Sequence, residues 1–109
     1  MSKDWRAYAA HILDGAAKLD RIQARGDILT DDILYDAALR NLQTLAEATQ
    51  NLPPELKARH AEIEWKNIAA FRNILVHNYL GAIDPLTVKR VIDQHVDPLA
   101  RAVLQMLAE

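Results

Sequence analysis

The chain has 109 residues, about half of them hydrophobic and 26% charged, with a formal net charge of −2 at pH 7. One domain's worth of chain can bury about two-thirds of its extended surface, and the mild acidity excludes a general electrostatic coat for nucleic acid. No cysteine is present, which excludes disulfides, thiolate zinc sites and cysteine nucleophiles and suits a reducing cytoplasm.

Apolar residues recur every three or four positions, the spacing of amphipathic helices. Asp4 is the expected cap of a first helix carrying Trp5, Tyr8, Ile12, Ala16, Leu19 and Ile22, which stops at Gly26 behind Arg21 and Arg25. Asp27 to Asp32 reads as an acidic connector and cap for the next helix. A second helix sets Leu34, Ala38, Leu42, Leu45 and Thr49 on one stripe and ends before Pro53-Pro54. Pro54 then opens a short turn, Glu55 to His60. The next helix starts near Glu64 or Trp65 and runs toward Gly81. Asp84-Pro85 begins the last one, in which Val88, Val91, Ile92, Leu99, Val103, Met106 and Leu107 hold one register. Pro98 is expected to break or kink it, because proline lacks the amide and clashes with the preceding turn.

No run alternates like a strand, none is long enough to cross a membrane, and no basic segment leads into an apolar one. The expectation is an all-α, up-and-down bundle of four long helices plus a short one, forming a single cytoplasmic domain over residues 1–109.

The segment Glu64 to Leu80 reads E-W-K-N-I-A-A-F-R-N-I-L-V-H-N-Y-L. On a helix, Trp65, Ile68, Ala69, Leu75, Val76 and Tyr79 form an apolar stripe with Arg72 in its middle. Phe71 and Ile74 face elsewhere, so the helix needs cover on two sides, and a second copy of the chain is the simplest second cover. Lys66, Asn73 and His77 make a narrow polar stripe. Asn73 is four residues before His77, so its amide can reach the imidazole and fix its tautomer. Spacing alone leaves open an arginine paired to an acidic neighbour and a satisfied interface histidine.

Arg72 to Tyr79 resembles the R-x4-H-x-Y signature of the HepT-like branch of the HEPN superfamily. Leu45-Ala46-Glu47-Ala48 is similar to that family's I-G-E-A stretch, with alanine in place of its frequent glycine. Pro54-Glu55-Leu56 and Ile63-Glu64-Trp65 resemble the approach to the motif helix. Gly81 through Asp84, with Val88 and Ile92, resembles its exit, and Leu99 fits the closing helix. The likeness spans roughly residues 28–107. It implies a HEPN-like fold and a ribonuclease toxin of a prokaryotic toxin–antitoxin system, encoded beside an MntA-type nucleotidyltransferase antitoxin.

The residues suit that chemistry. RNA carries its own nucleophile, the 2′-hydroxyl. His77 can take that proton or give one to the leaving 5′-oxygen, and Arg72 can clamp the phosphate and stabilise charge at phosphorus. Neither a cofactor nor a metal is required, and His60, Glu62 and Glu64 read as solvated surface groups rather than ligands. One histidine is not easily acid and base at once. A two-fold dimer joining both motif helices would place two of each group in one cleft, as the resemblance also implies. Asn73 supports His77, and Glu47 either orients Arg72 or is simply solvated. Lys66 and Lys89 are candidates to extend a phosphate track.

Trp5 and Trp65 are core anchors, and His95 falls on the inner register of the last helix. The resemblance further implies that Tyr79 accepts AMP from the nucleotidyltransferase, silencing the nuclease. A non-catalytic HEPN module that serves a separate nucleotidyltransferase is the alternative, and a purely structural adaptor is a third reading.

Overall fold

The computed structural model describes residues 4–77 and 83–109. Helix α1 spans Trp5–Arg25, and the Asp4 carboxylate accepts from the Arg6 amide at its start, as the cap pattern requires. It ends at Gly26 in an extended conformation, φ 164°, so the stop does not rest on a left-handed residue. The connector turns back through Asp27, whose side chain accepts from the Leu29 amide. Asp31 then caps α2, Asp32–Thr49, by accepting from the amides of Ile33 and Leu34. Helix α3 is the short Pro54–Ala58, with its proline at the first turn, and α4 is Trp65–His77. Helix α5 is Pro85–Val91, capped by Asp84, and α6 is Asp97–Ala108. All regular structure among the described residues is helical, and no described helix is long and apolar enough to cross a membrane.

The pairing of α1 with α2 forms the heart of the bundle, with α6 laid on α1 and α4 on α2. Ala9, Ile12, Ala16 and Leu19 of α1 meet Ala38, Leu42 and Leu45 of α2 in one buried cluster completed by Val88, Leu99, Val103 and Met106. Gly15 brings the two helices close: a β-carbon there would lie 3.4 Å from the Leu45 Cβ.

Pro98 does not break the last helix. The chain stays helical from α5 to α6 through a π turn, Ile92–Val96, that ends just before the proline. A π turn inserts one extra residue per turn, and the widened ladder gives the ring room beside a carbonyl that an α-turn would press against it. The insertion also shifts the register. Ile92 and Val96 are buried, and His95, expected on the inner side, is exposed.

Trp65 anchors the start of α4. Its indole N–H donates to the carbonyls of Lys57 (3.0 Å) and His60 (3.1 Å), at the end of α3 and in the turns that follow it. The Lys57 ammonium lies 5.7 Å from the ring centre, and burial lowers that lysine's pKa. Nor is His60 a solvated group, for it is 4% exposed. Its Nε2 lies 3.0 Å from Glu109 and its Nδ1 3.6 Å from Glu62, and Arg59 meets the same Glu109 at 3.3 Å. These contacts tie the end of α6 to the loop that launches α4.

Candidate active site

Helix α4 presents two unlike faces. Trp65, Ile68 and Phe71 pack partly buried against the core, and Leu75 is buried. Phe71 therefore belongs to the core-facing stripe, contrary to the sequence expectation, because α2 meets α4 on the side of Ile68 and Leu75, between which Phe71 falls at helical spacing. The opposite face is open: Lys66, Ala70, Asn73, Ile74 and His77 are all exposed, with Ile74 at 54%.

Arg72 sits at the border of the two faces. One terminal nitrogen lies 3.4 Å from Glu47 on α2, and the other donates to the Asn73 side-chain oxygen at 3.1 Å. Its Nε is buried with no hydrogen-bond partner among the described residues. The arginine side chain is 32% exposed and that of Glu47 46%, so the ion pair contributes at most about 1 kcal/mol to stability. Its effect is geometric, fixing the planar fork while leaving donors for a further acceptor.

Asn73 therefore engages the arginine, and no Asn73–His77 hydrogen bond occurs among the described residues. A carboxamide oxygen beside a guanidinium finds a charged donor within one residue, and that contact takes it. His77, the last residue of α4, is exposed. Five residues along an α-helix turn about 140° and rise about 7.5 Å, so Arg72 and His77 leave α4 in different directions. Asn73 lies between them on the helix surface. Tyr79, and the expected helix end at Gly81, lie outside the described residues.

Glu47 is the partner that spacing could not secure. It stands 25 positions before Arg72, and only the packing of α2 on α4 brings the two together. Lys89 is not free to extend a phosphate track, since its ammonium is held by Gln23 at 3.1 Å and Asp93 at 3.0 Å. Lys66 remains exposed on the open face of α4. Among the described residues, no three His, Cys, Asp or Glu side chains gather as a metal site.

A cleft of about 470 Å³ lies between α2, α4 and the π turn. Leu45, Ala46, Ile68, Phe71 and Leu99 form its apolar walls. The chain's alanine in place of the resembled glycine, Ala46, thus lines this cleft.

Comparison with known proteins places these features in context. A family model described as "Ribonuclease HepT-like" matches residues 12–106. A protein of Methanocaldococcus jannaschii, named as a gamma-glutamylcyclotransferase and candidate RNase, is 30% identical over 112 residues, covering 100% of this chain and 50% of that protein. The chain thus spans half the length of that relative. A candidate RNase of Caldanaerobacter subterraneus subsp. tengcongensis is 37% identical over 79 residues, 70% of each chain. A probable ribonuclease HepT of Thermococcus cleftensis is 32% identical over 79 residues, 72% of each. No solved structure matches the chain.

Proposed function

Because the chain belongs to the HepT-like ribonuclease family, we propose that it is the toxin of a toxin–antitoxin pair and cleaves RNA internally without a metal ion. The observation that carries this reading is the setting of Arg72, a half-buried arginine held by Glu47 and Asn73 on the helix that exposes His77.

Arg72 holds the scissile phosphate and stabilises the charge added at phosphorus. His77 removes the 2′-hydroxyl proton, and the resulting oxyanion attacks phosphorus while the bond to the 5′-oxygen breaks. A second histidine protonates that leaving oxygen, giving a 2′,3′-cyclic phosphate and a 5′-hydroxyl. The 140° between Arg72 and His77 favours supplying this second set from a second copy, packed two-fold against the open face of α4.

Control of the activity falls to Tyr79 and a nucleotidyltransferase antitoxin of the MntA type. The phenol oxygen loses its proton and attacks the α-phosphorus of ATP, pyrophosphate leaves, and the AMP so attached brings a phosphate that competes for Arg72 and bulk that closes the cleft between copies.

Purified protein incubated with total RNA tests the proposal. Wild type cleaves with or without chelator, and Arg72→Ala and His77→Ala each lose about 10²–10³-fold in rate with helical content unchanged. In a second arm, incubation with the nucleotidyltransferase and ATP adds AMP-sized mass to wild type and none to Tyr79→Phe. Full cleavage by His77→Ala, or loss of cleavage with chelator, contradicts the mechanism. An equal mass gain on Tyr79→Phe contradicts the control.

A further inference from the structure

The cleft beside α4 has no part in the chemistry above, yet its lining is selective. Its volume, about 470 Å³, falls within the roughly 300–1,000 Å³ of small-ligand sites. The polar groups at its edge are Glu62, Glu64, Asn67, Gln94 and His95, and no lysine or arginine lines it. An anionic group would meet two carboxylates and no counter-charge there. A flat, neutral ring rich in N–H donors would instead find an apolar slot and acceptors at its rim. The π turn contributes to this shape, because its extra residue turns Gln94 and His95 outward beside the cleft. Such turns are rare and concentrate at functional sites. The cleft also borders the proposed phosphate clamp, since Ile68 and Phe71 precede Arg72 by four residues and one on the same helix.

We propose that this cleft is a base-reading subsite, which takes one unpaired RNA base bearing an exocyclic amino group. The proposal rests on the ribonuclease reading for its source of bases. The base enters against Phe71 and gives its amino protons to Glu64 and to the side-chain oxygens of Asn67 and Gln94. Its phosphates stay outside, toward Arg72. Bases splayed from single strands are read in this way, by stacking and by their Watson–Crick edges. Carboxylates and carboxamides match the amino groups of adenine and cytosine. Uracil offers carbonyl oxygens at the corresponding position, which Glu64 repels. Glu62 is engaged with His60 and takes no part in the reading.

Nucleosides lack the phosphate, so they probe this subsite apart from Arg72. Amide NMR of the full chain, titrated with adenosine, cytidine, uridine and, separately, spermidine, tests the proposal. Adenosine and cytidine are expected to move the resonances of Asn67, Phe71, Gln94 and His95 at about millimolar concentration, with uridine about tenfold weaker. Glu64→Ala combined with Gln94→Ala weakens adenosine binding by about tenfold, and Arg72→Ala leaves it unchanged. The proposal is overturned if those resonances stay still, if uridine moves them as strongly as adenosine, or if only spermidine moves them. RNA cleavage without nucleoside binding here refutes the subsite alone. Nucleoside binding in a chain that cleaves no RNA upholds a base site and refutes the ribonuclease reading.

Discussion

A guanidinium set at the edge of a core must find partners for its donors, and the partners it finds decide what remains for a ligand. Arg72 gives one arm to Glu47 and the other to Asn73, while its Nε is uncommitted among the described residues. This predicts a positioning role for Glu47. Glu47→Ala frees the guanidinium to swing, and a misplacement of about 1 Å costs on the order of 10²-fold in rate. The loss should appear in kcat with KM little changed, and stability should fall by less than about 1 kcal/mol, because the pair is partly exposed. Steady-state cleavage of a short RNA, alongside a urea melt, separates the two effects. A fall in stability without a fall in kcat would show that the pair only braces α2 against α4. The sequence made Arg72 conspicuous as a charge in an apolar stripe. It could not choose between two readings of Glu47, because that choice depends on how two distant helices pack.

Among the elements, caps and prolines were the most legible features. Asp4, Asp31 and Asp84 each accept from an amide in the first turn of their helices, and Pro54 and Pro85 sit where a missing amide costs nothing. Two readings failed for the same physical reason, namely that a neighbour changed the local rule. The α ladder is interrupted before Pro98, as the proline led one to expect, but the interruption is a π turn, which moves His95 out of the inner register. Phe71 is drawn into the core-facing stripe by the direction from which α2 approaches. Periodicity describes one helix at a time and carries neither effect.

The contact of α1 with α2 allows a test at this scale. Alanine at Gly15 meets Leu45 at ordinary van der Waals distance, 3.4 Å, and gains up to about 1 kcal/mol from helix propensity. Leucine there overfills the contact and costs about 1–3 kcal/mol. Chemical denaturation should therefore move the midpoints of Gly15→Ala and Gly15→Leu in opposite directions. Equal midpoints would mean the helices are farther apart than this packing requires.

For the molecule as a whole, the open face of α4 is the feature that joins structure to function. It gathers Lys66, Asn73 and His77 with the half-exposed Ile74, an apolar side chain among the groups assigned to RNA. Burying the exposed half of such a side chain is favourable by about 1 kcal/mol, which favours a partner surface there. That Ile74 falls off the core-facing stripe was readable from its spacing, whereas the place of Phe71 on that stripe was not. How one copy meets another was not, because a two-fold contact depends on surface shape that no spacing encodes.

If RNA is cut in a cleft shared by two copies through this face, as proposed, assembly and cleavage are lost together. The most direct measurement is the mass in solution, by light scattering, of wild type and Ile74→Asp, with RNA cleavage assayed on the same fractions. The account predicts that wild type runs at about twice the chain mass and cleaves. It predicts that Ile74→Asp, carrying a charge where the copies meet, runs at the mass of one chain and loses cleavage while remaining helical. A wild-type monomer that cleaves RNA, or a monomeric Ile74→Asp that cleaves at the wild-type rate, would contradict it.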